Sequence, residues 1–463
     1  MNDKVYYYFK EISKIPRETY NIDDISNYLV NFAKDRNLEV YQDDVKNVII
    51  KKKASIGYEV YSPIILQAHM DMVCQKEDNS SHDFSRDGIE VIEENGVLRA
   101  NGTTLGADDG IGVAMILSVL DTDLNSPKIE ALFTVNEEVG MDGAIHIDMK
   151  QFDGKRLINL DSEEEGILIA GCAGGVRLEV SYKGEIEKKY GKVLNINISS
   201  LLGGHSGTDI NKGRANAIKV MGKILDSLGD ISIISINGGK VDNAICDSCD
   251  ATVMIYNDID LEKVKSEWKK YLDSKGEVNS KVDLNIFEKE ELVFTKNSSN
   301  IIINYLNTID DGVISYEDNL IDMVQTSINF GTISTNENII TFKHLIRSSV
   351  DSSKDKLVSK IMNNYSDMEV SLVNSYSGWS YNDKSNLREL MINLYKEMYN
   401  KELKVEVIHA GLECGMFVSK KNDLDAVSIG PNIRDAHTPN EMVEIDSVNR
   451  VYDYLIKVLE DLR

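Results

Sequence analysis

Two patterns of apolar spacing alternate along this chain. In residues 5–12 and 22–36 apolar side chains recur three and four positions apart, which predicts amphipathic helices. Residues 45–51, 63–73, 129–135 and 157–160 are short aliphatic runs, some without polar alternation, as strands covered on both faces have. Residues 110–120 are glycine, alanine and aliphatics, which predicts a small-residue helix packed close on a sheet. This is an α/β pattern, a mixed and mostly parallel sheet flanked by helices. From about residue 183 the style changes. Residues 192–199 alternate, 215–228 read as a helix, 231–236 and 251–256 as strands, and 261–273 as a helix. A similar order recurs at 326–332 and 338–347 (strands), 353–364 (helix) and 368–373 (strand). The α/β style returns with a helix at 386–400, strands at 404–409 and 426–429, and a closing helix at 448–462. The expected organisation is one α/β domain in two parts, 1–183 and 382–463. Between them, at 184–381, stands an inserted α+β domain built from two related halves.

Composition narrows the class. A chain of 463 residues exceeds one ordinary core, and an apolar fraction of 42% supplies enough for folded domains. No apolar run approaches the ~20 residues that span a bilayer, and residues 1–10 lack the apolar core of a signal peptide. A cytoplasmic protein is expected. The formal net charge of −25 disfavours nucleic acid and anionic lipid as partners. Five cysteines in a chain this long are not a disulfide framework. The Cys246/Cys249 pair lacks both a thioredoxin-like setting and a second ligand pair, so ordinary thiols are expected.

The polar residues fall in a telling place. In open α/β sheets, ligands bind beyond the carboxyl ends of the strands. The strand at 63–68 runs into His69-Met70-Asp71, that at 129–135 into Asn136-Glu137-Glu138, and that at 157–160 into Asp161. His437 follows the strand at 426–429, and the turn Gly106-Ala107-Asp108-Asp109-Gly110 opens the small-residue helix. Histidine with carboxylate is a ligand set for zinc and its neighbours. His69 and Asp71, two apart on a strand, share a face, so the carboxylate can orient the imidazole. Glu137 and Glu138 diverge, so one can bind metal while the other faces an attacking water. Taken singly each has a plain reading: Asp108 as a helix cap, Glu137-Glu138 as a charged loop, a lone histidine as a packed residue. His82, His146, His344 and His409 keep such readings. The coincidence at successive strand ends is what argues for two divalent ions, zinc first, with manganese or cobalt as alternatives.

The stretches around Glu11–Arg17, Gln67-Ala68-His69-Met70-Asp71, Leu105-Gly106-Ala107-Asp108, Glu137-Glu138-Val139-Gly140-Met141-Asp142-Gly143-Ala144, Asn159-Leu160-Asp161-Ser162-Glu163, His409-Ala410-Gly411-Leu412-Glu413-Cys414-Gly415 and Ala436-His437-Thr438-Pro439-Asn440-Glu441 resemble the aminoacyl-histidine dipeptidase family. That family is a branch of the co-catalytic zinc peptidases that include carboxypeptidase G, acetylornithine deacetylase and carnosinase. The resemblance implies a zinc-exopeptidase fold whose insertion is a lid, and hydrolysis of dipeptides by a metal-bridging water. It implies His69 and Asp161 on one ion, Glu138 and His437 on the other, and Asp108 between them. Asp71 would orient His69, Glu137 would be the general base, and His205 in Gly203-Gly204-His205-Ser206-Gly207 would stabilise the oxyanion. Asn243 and Arg347 would bind the substrate's terminal carboxylate. Glu413 is either a partner for the substrate's free amine or a structural residue. Many relatives complete the site with a lid histidine from a partner subunit. A doubled lid supplies it within one chain, so monomer and homodimer are both compatible. Cys74 and Cys246 stand where this branch often has proline, and Asp109 where it tends to have asparagine; the extra charge of Asp109 would tune metal affinity.

The rival readings predict different residues. A deacylase of N-acyl amino acids would share the metal ligands but not the need for a free amine, and a di- or tripeptidase would lack histidine preference. A two-metal phosphatase or nuclease would add phosphate clamps or a G-x-x-x-x-G-K loop, and neither is found. The Gly203–Gly207 stretch misplaces serine for a nucleophile elbow. A non-catalytic binding protein would have lost the base or a ligand, and none is lost.

Overall fold

A computed structural model describes residues 2–317 and 323–463, which divide into two compact units. One comprises residues 1–171, 379–407 and 412–463, the other residues 172–378 and 408–411. Each has its own buried hydrophobic cluster.

The first unit is built on an eight-stranded sheet. In spatial order it runs Glu39–Gln42, Val48–Lys52, Ile129–Thr134, Ile64–His69, Arg156–Asn159, Asp425–Ser428, Ile167–Cys172 and Lys404–Ile408. The four central strands from Ile129–Thr134 to Asp425–Ser428 are parallel. Ile64–His69 and Ile129–Thr134 are buried at every residue, which explains their unbroken apolar character. Because they are parallel, their carboxyl ends share one edge: His69 is in register with Thr134, and Gln67 with Asn159. Helix Ala107–Leu120 packs on Ile64–His69, and all its residues except Asp108 are buried. An apolar helix without a polar face has to lie inside. A small antiparallel sheet, absent from the periodicity reading, joins Val91–Glu94, Val97–Ala100, Met442–Glu444 and Ile433–Arg434. His437 lies in the loop between the last two of these strands, so the hairpin at 91–100 anchors that loop.

The second unit carries a nine-stranded sheet in which every registered pair is antiparallel. Its two halves share one topology. In the first, Ile186–Ser199, Ile231–Gly238, Cys249–Ile255 and Lys281–Phe294 take the spatial order fourth, first, third, second. In the other, Gly174–Lys183, Val324–Asn336, Ile339–Ser348 and Glu369–Tyr376 take the same order, read from the opposite edge. The second strands of the halves meet at Gly238 and Ile333. The first half is therefore inserted after the opening strand of the other.

This topology corrects the expected boundaries. Strand Gly174–Lys183, assigned from sequence to residues 1–183, pairs with Ile339–Ser348 and Glu369–Tyr376 in the second sheet. Residues 408–411, expected in the closing segment, group with the second unit, where the Ala173 amide donates to the carbonyls of Ile408 and Ala410. The division on the other side follows Gly378 rather than residue 381. Strand Lys281–Phe294 escaped the periodicity reading because most of its side chains are exposed and many are charged. It is held by pairing along its whole length with Ile186–Ser199.

Candidate metal centre

At the carboxyl edge of the parallel strands, His69 and Asp108 come together, with His69 Nε2 3.2 Å from Asp108 Oδ1 and 3.5 Å from Asp161 Oδ1. The other oxygen of Asp108 lies 3.0 Å from His437 Nε2, which is itself 3.1 Å from Glu138 Oε2. Asp108 thus faces both histidines, one through each oxygen. The donor atoms of His69, Asp108 and Asp161 lie within 4.8 Å of one another, as do those of Asp108, Glu138 and His437. Glu137 and Glu138 form a third such group with His69. The donor set fits a pair of divalent cations. It is nitrogen and carboxylate oxygen only, and Glu138 Oε1 is buried with no hydrogen-bond partner among the described residues. Buried carboxylates at this density need a compensating positive charge.

Protons supply part of that charge. Hydrogen bonds to Asp108 and Glu138 raise the His437 imidazole to about 11. Burial pulls His69 down, but Asp161, Asp108 and Asp71 outweigh it and hold its pKa well above the ordinary value. Burial also pushes Asp108 up, yet hydrogen bonds from His437 and His69 leave it well below the carboxylate range. Glu137 goes the other way: burial, then the charges of Asp161, Glu138 and Glu413, raise it well above the ordinary value. Desolvation of its carboxyl, then the charge of Asp108, raise Glu163 to about 7.

The residues behind this cluster set its shape. Asp71 Oδ1 is 3.6 Å from His69 Nδ1 and accepts from the Glu137 amide at 3.1 Å, while Oδ2 accepts from the Thr19 hydroxyl at 2.9 Å. One carboxylate therefore ties the first histidine to the Glu137 turn. Two residues of the family-like stretches, Glu441 and Arg17, have a role that no local pattern marks. Glu441 is buried, and its two oxygens accept from the amides of Leu105, Gly106, Ala107 and Asp108 at 2.7–3.3 Å. Buried Arg17 donates to the carbonyls of Met70, Asp71 and Gly106, locking the same turn to the His69 strand. Gly106, at φ 69°, is required here, since a Cβ would stand 2.5 Å from the Arg17 guanidinium. Asp109 also braces backbone: its oxygens accept from the amides of His69 and Gly112 at 3.2 Å each. Burial, with Asp161 and Asp108 nearby, raises its pKa well above the usual range.

A fully buried polar network lies one layer deeper. Glu413 Oε2 accepts from Gln67 Nε2 at 2.6 Å and from the Thr134 hydroxyl at 2.7 Å. Asn159 donates to Gln67 at 2.6 Å and accepts from the Asp161 amide at 3.3 Å. The carboxyl ends of three parallel strands are thereby cross-linked two to four residues before their candidate ligands. Burial raises Glu413 to about 7. Its folded pKa exceeds its ordinary 4.5, so the stability it contributes is fully present below pH 4.5 and is lost as pH rises to about 7. The isostere Glu413→Gln keeps an acceptor for both donors and removes the titration. Its stability should therefore equal or exceed that of the parent at pH 8, by up to an amount on the order of 2–3 kcal/mol. Melts at pH 5 and pH 8 check this, and a variant less stable at pH 8 than at pH 5, relative to the parent, would refute it.

The second unit holds the other predicted residues. His205 pairs in register with Ala244, next to Asn243, whose carbonyl accepts from the Ser206 amide at 2.9 Å. The amides of Gly207 and Thr208 donate to His205 Nδ1 at 3.3 and 3.4 Å. That fixes the neutral tautomer with the proton on Nε2. Burial, and then Arg347, lower its pKa, which keeps it in that form. Asn329 Nδ2 holds the Asn243 loop through the carbonyls of Asp242 and Ala244 at 2.8 and 2.9 Å. Arg347 is 6% exposed, and its Nε has no partner among the described residues. Cys246 and Cys249 are free and buried, and burial raises both thiols, Cys246 to about 12. No helix of the described residues is long and apolar enough to cross a membrane.

Known proteins resemble this chain along its whole length. Cytosol non-specific dipeptidase of Escherichia coli (strain K12) is 34% identical, over 98% of this chain and 96% of its own. The crystal structure of aminoacylhistidine dipeptidase from Vibrio alginolyticus superposes with a TM-score of 0.89 at 33% identity, covering 99% of this chain and 96% of that one. A metallo-carboxypeptidase from Sulfolobus solfataricus, 17% identical over 100% and 99% of the two chains, shares the fold at a TM-score of 0.56. Residues 65–461 match the profile of peptidase family M20/M25/M40. With that match and an identity that runs end to end, the chain belongs to peptidase family M20/M25/M40, a family of hydrolases of peptide bonds that use divalent metal ions.

Proposed function

We propose that this protein is a cytoplasmic, metal-dependent dipeptidase, with aminoacyl-histidine dipeptides among its substrates. The observation that carries the reading is Asp108, a carboxylate set between His69 and His437 with one oxygen toward each. His69 and Asp161 would hold one ion, Glu138 and His437 the other, with Asp108 shared. Bound there, two divalent cations, zinc in the first place, would polarise the scissile carbonyl and acidify a water.

The chain's own residues do the rest. Glu137 takes the proton of the attacking water and passes it to the leaving amine. Asp71 keeps His69 in one orientation. His205, neutral with its proton on Nε2, donates to the oxygen on which charge develops. Asn243 and Arg347 take the terminal carboxylate, for which a guanidinium is a two-pronged donor.

Of the two roles open to Glu413, its surroundings favour the structural one. The residue is fully buried, and Gln67 and Thr134 already occupy Oε2. An unchanged KM for free-amine dipeptides in Glu413→Gln supports that; a large rise restores the amine-binding role.

The function is tested by histidine release from alanyl-histidine and β-alanyl-histidine, with N-acetylated controls, before and after chelation. Release confined to the free-amine dipeptides, lost with the metal and regained with zinc, is expected. Turnover of the acetylated compounds instead would move the protein to the deacylases. Restoration by manganese or cobalt but not zinc would change the metal assignment alone.

A further inference from the structure

Arg347 stands in a row of residues that crosses four strands. The registers place Ser327 opposite Arg347, Arg347 opposite Gly175, and Gly175 opposite Tyr376. Directly opposed residues in antiparallel pairs share a face, so the side chains of Ser327, Arg347 and Tyr376 belong to one face of the sheet. Gly175 leaves the gap between the last two: a Cβ there would lie 2.6 Å from the Tyr376 ring. Across that gap, Arg347 Nη1 donates to the Tyr376 hydroxyl at 3.2 Å. On the other side, the Ser327 hydroxyl is 2.7 Å from His409 Nε2. Burial, then the charge of Arg347, drive His409 down to about 3, so it stands beside the guanidinium without a charge.

The row thus presents a buried guanidinium flanked by neutral polar groups. Arg347 forms no ion pair among the described residues, and a buried charge of this kind is stabilised by an anion that arrives with the ligand. The Tyr376 oxygen accepts from Arg347, which leaves its own proton free to donate. A phenol has one donor and spare acceptor capacity, so both bonds can form at once.

We propose that Tyr376 is a specificity-determining residue: its hydroxyl holds the Arg347 guanidinium in place and donates its own proton to the same terminal carboxylate. Gly175 is the position that permits this reach. The proposal rests on the reading of Arg347 as the carboxylate anchor. It gives that anchor a second donor with no charge, so a substrate lacking a free carboxylate loses two partners rather than one.

The test compares alanyl-histidine with alanyl-histidinamide, which lacks the carboxylate, in Tyr376→Phe, Gly175→Ala and Arg347→Met. A hydrogen bond to a charged group contributes enough that its loss should weaken binding about tenfold or more. Tyr376→Phe is expected to raise KM for alanyl-histidine by about that factor, with a smaller change in kcat and a much smaller change for the amide. Gly175→Ala, by displacing the ring, should do the same. Thermal melts identify a variant that has failed to fold. Calorimetric binding of alanyl-histidine to each folded variant supplies a readout independent of turnover. If Arg347→Met narrows the preference for the carboxylate and Tyr376→Phe does not, the role of Tyr376 is overturned and the anchor stands. Should neither change it, the anchor reading fails and takes the proposal with it. Equal losses on both compounds would assign Tyr376 a structural role and overturn the proposal.

Discussion

Glu137→Gln is expected to lower kcat for dipeptide hydrolysis by roughly 10²–10⁴-fold, the contribution of a positioned general acid–base group. The substitution keeps the size of the side chain and the backbone amide that donates to Asp71. It removes only the group that can take up a proton. Metal content per chain should therefore stay at the parent value, and KM should move little. Metal analysis beside steady-state kinetics separates the alternatives. Glu137 also stands within ligand distance of His69 and Glu138, so loss of one ion in the variant would make it a ligand. Retention of more than about a tenth of kcat would deny it either role.

The second large effect is expected from a residue that touches no substrate. Glu441→Ala should destabilise the protein by about 3–5 kcal/mol, the range for removing one partner of a buried, hydrogen-bonded charge. Four amides of the turn at 105–108 lose their acceptor. Glu441 is also the largest favourable charge acting on Arg17, whose pKa burial lowers. With that turn released, Asp108 loses its fixed position between the two histidines, so metal affinity should fall together with stability. Glu441→Gln retains a carbonyl oxygen and should lose less. Chemical denaturation of the metal-free proteins measures the stability change, and competitive chelation measures the affinity. A Glu441→Ala protein with parental stability and metal affinity would show that the turn holds itself.

Much of the centre was legible in the linear sequence for one physical reason. Parallel strands buried on both faces must be apolar, so the first polar residues after them mark the sheet edge. His69, Glu137, Glu138 and Asp161 were found that way, and the structure brings them together with Asp108 and His437. Glu441 and Arg17 carried no such mark. Their work is done on backbone amides and carbonyls far away in the chain, and an acceptor for the amides of 105–108 cannot be recognised from residue 441 alone. The buried network of Glu413, Gln67, Thr134 and Asn159 escaped for the same cause. A glutamine or threonine within a strand gives no local sign of a partner several hundred residues later.

The second unit divides along the same line. Its alternating segments announced an α+β insertion with a recurring order of elements, because hydrophobic period depends only on near neighbours. Its opening strand, Gly174–Lys183, belongs by pairing to the half that resumes after residue 295. No periodicity can report a partner separated by an entire inserted half. The row from Ser327 through Arg347 and Gly175 to Tyr376 exists only as sheet register. Local residue order is enough to fix helix, strand and the polar strand ends, since those follow from the spacing of side chains along one segment. Which carboxylate braces which turn, and which tyrosine reaches which arginine, is decided by contacts between distant segments, where the free energy depends on geometry that only the folded chain supplies.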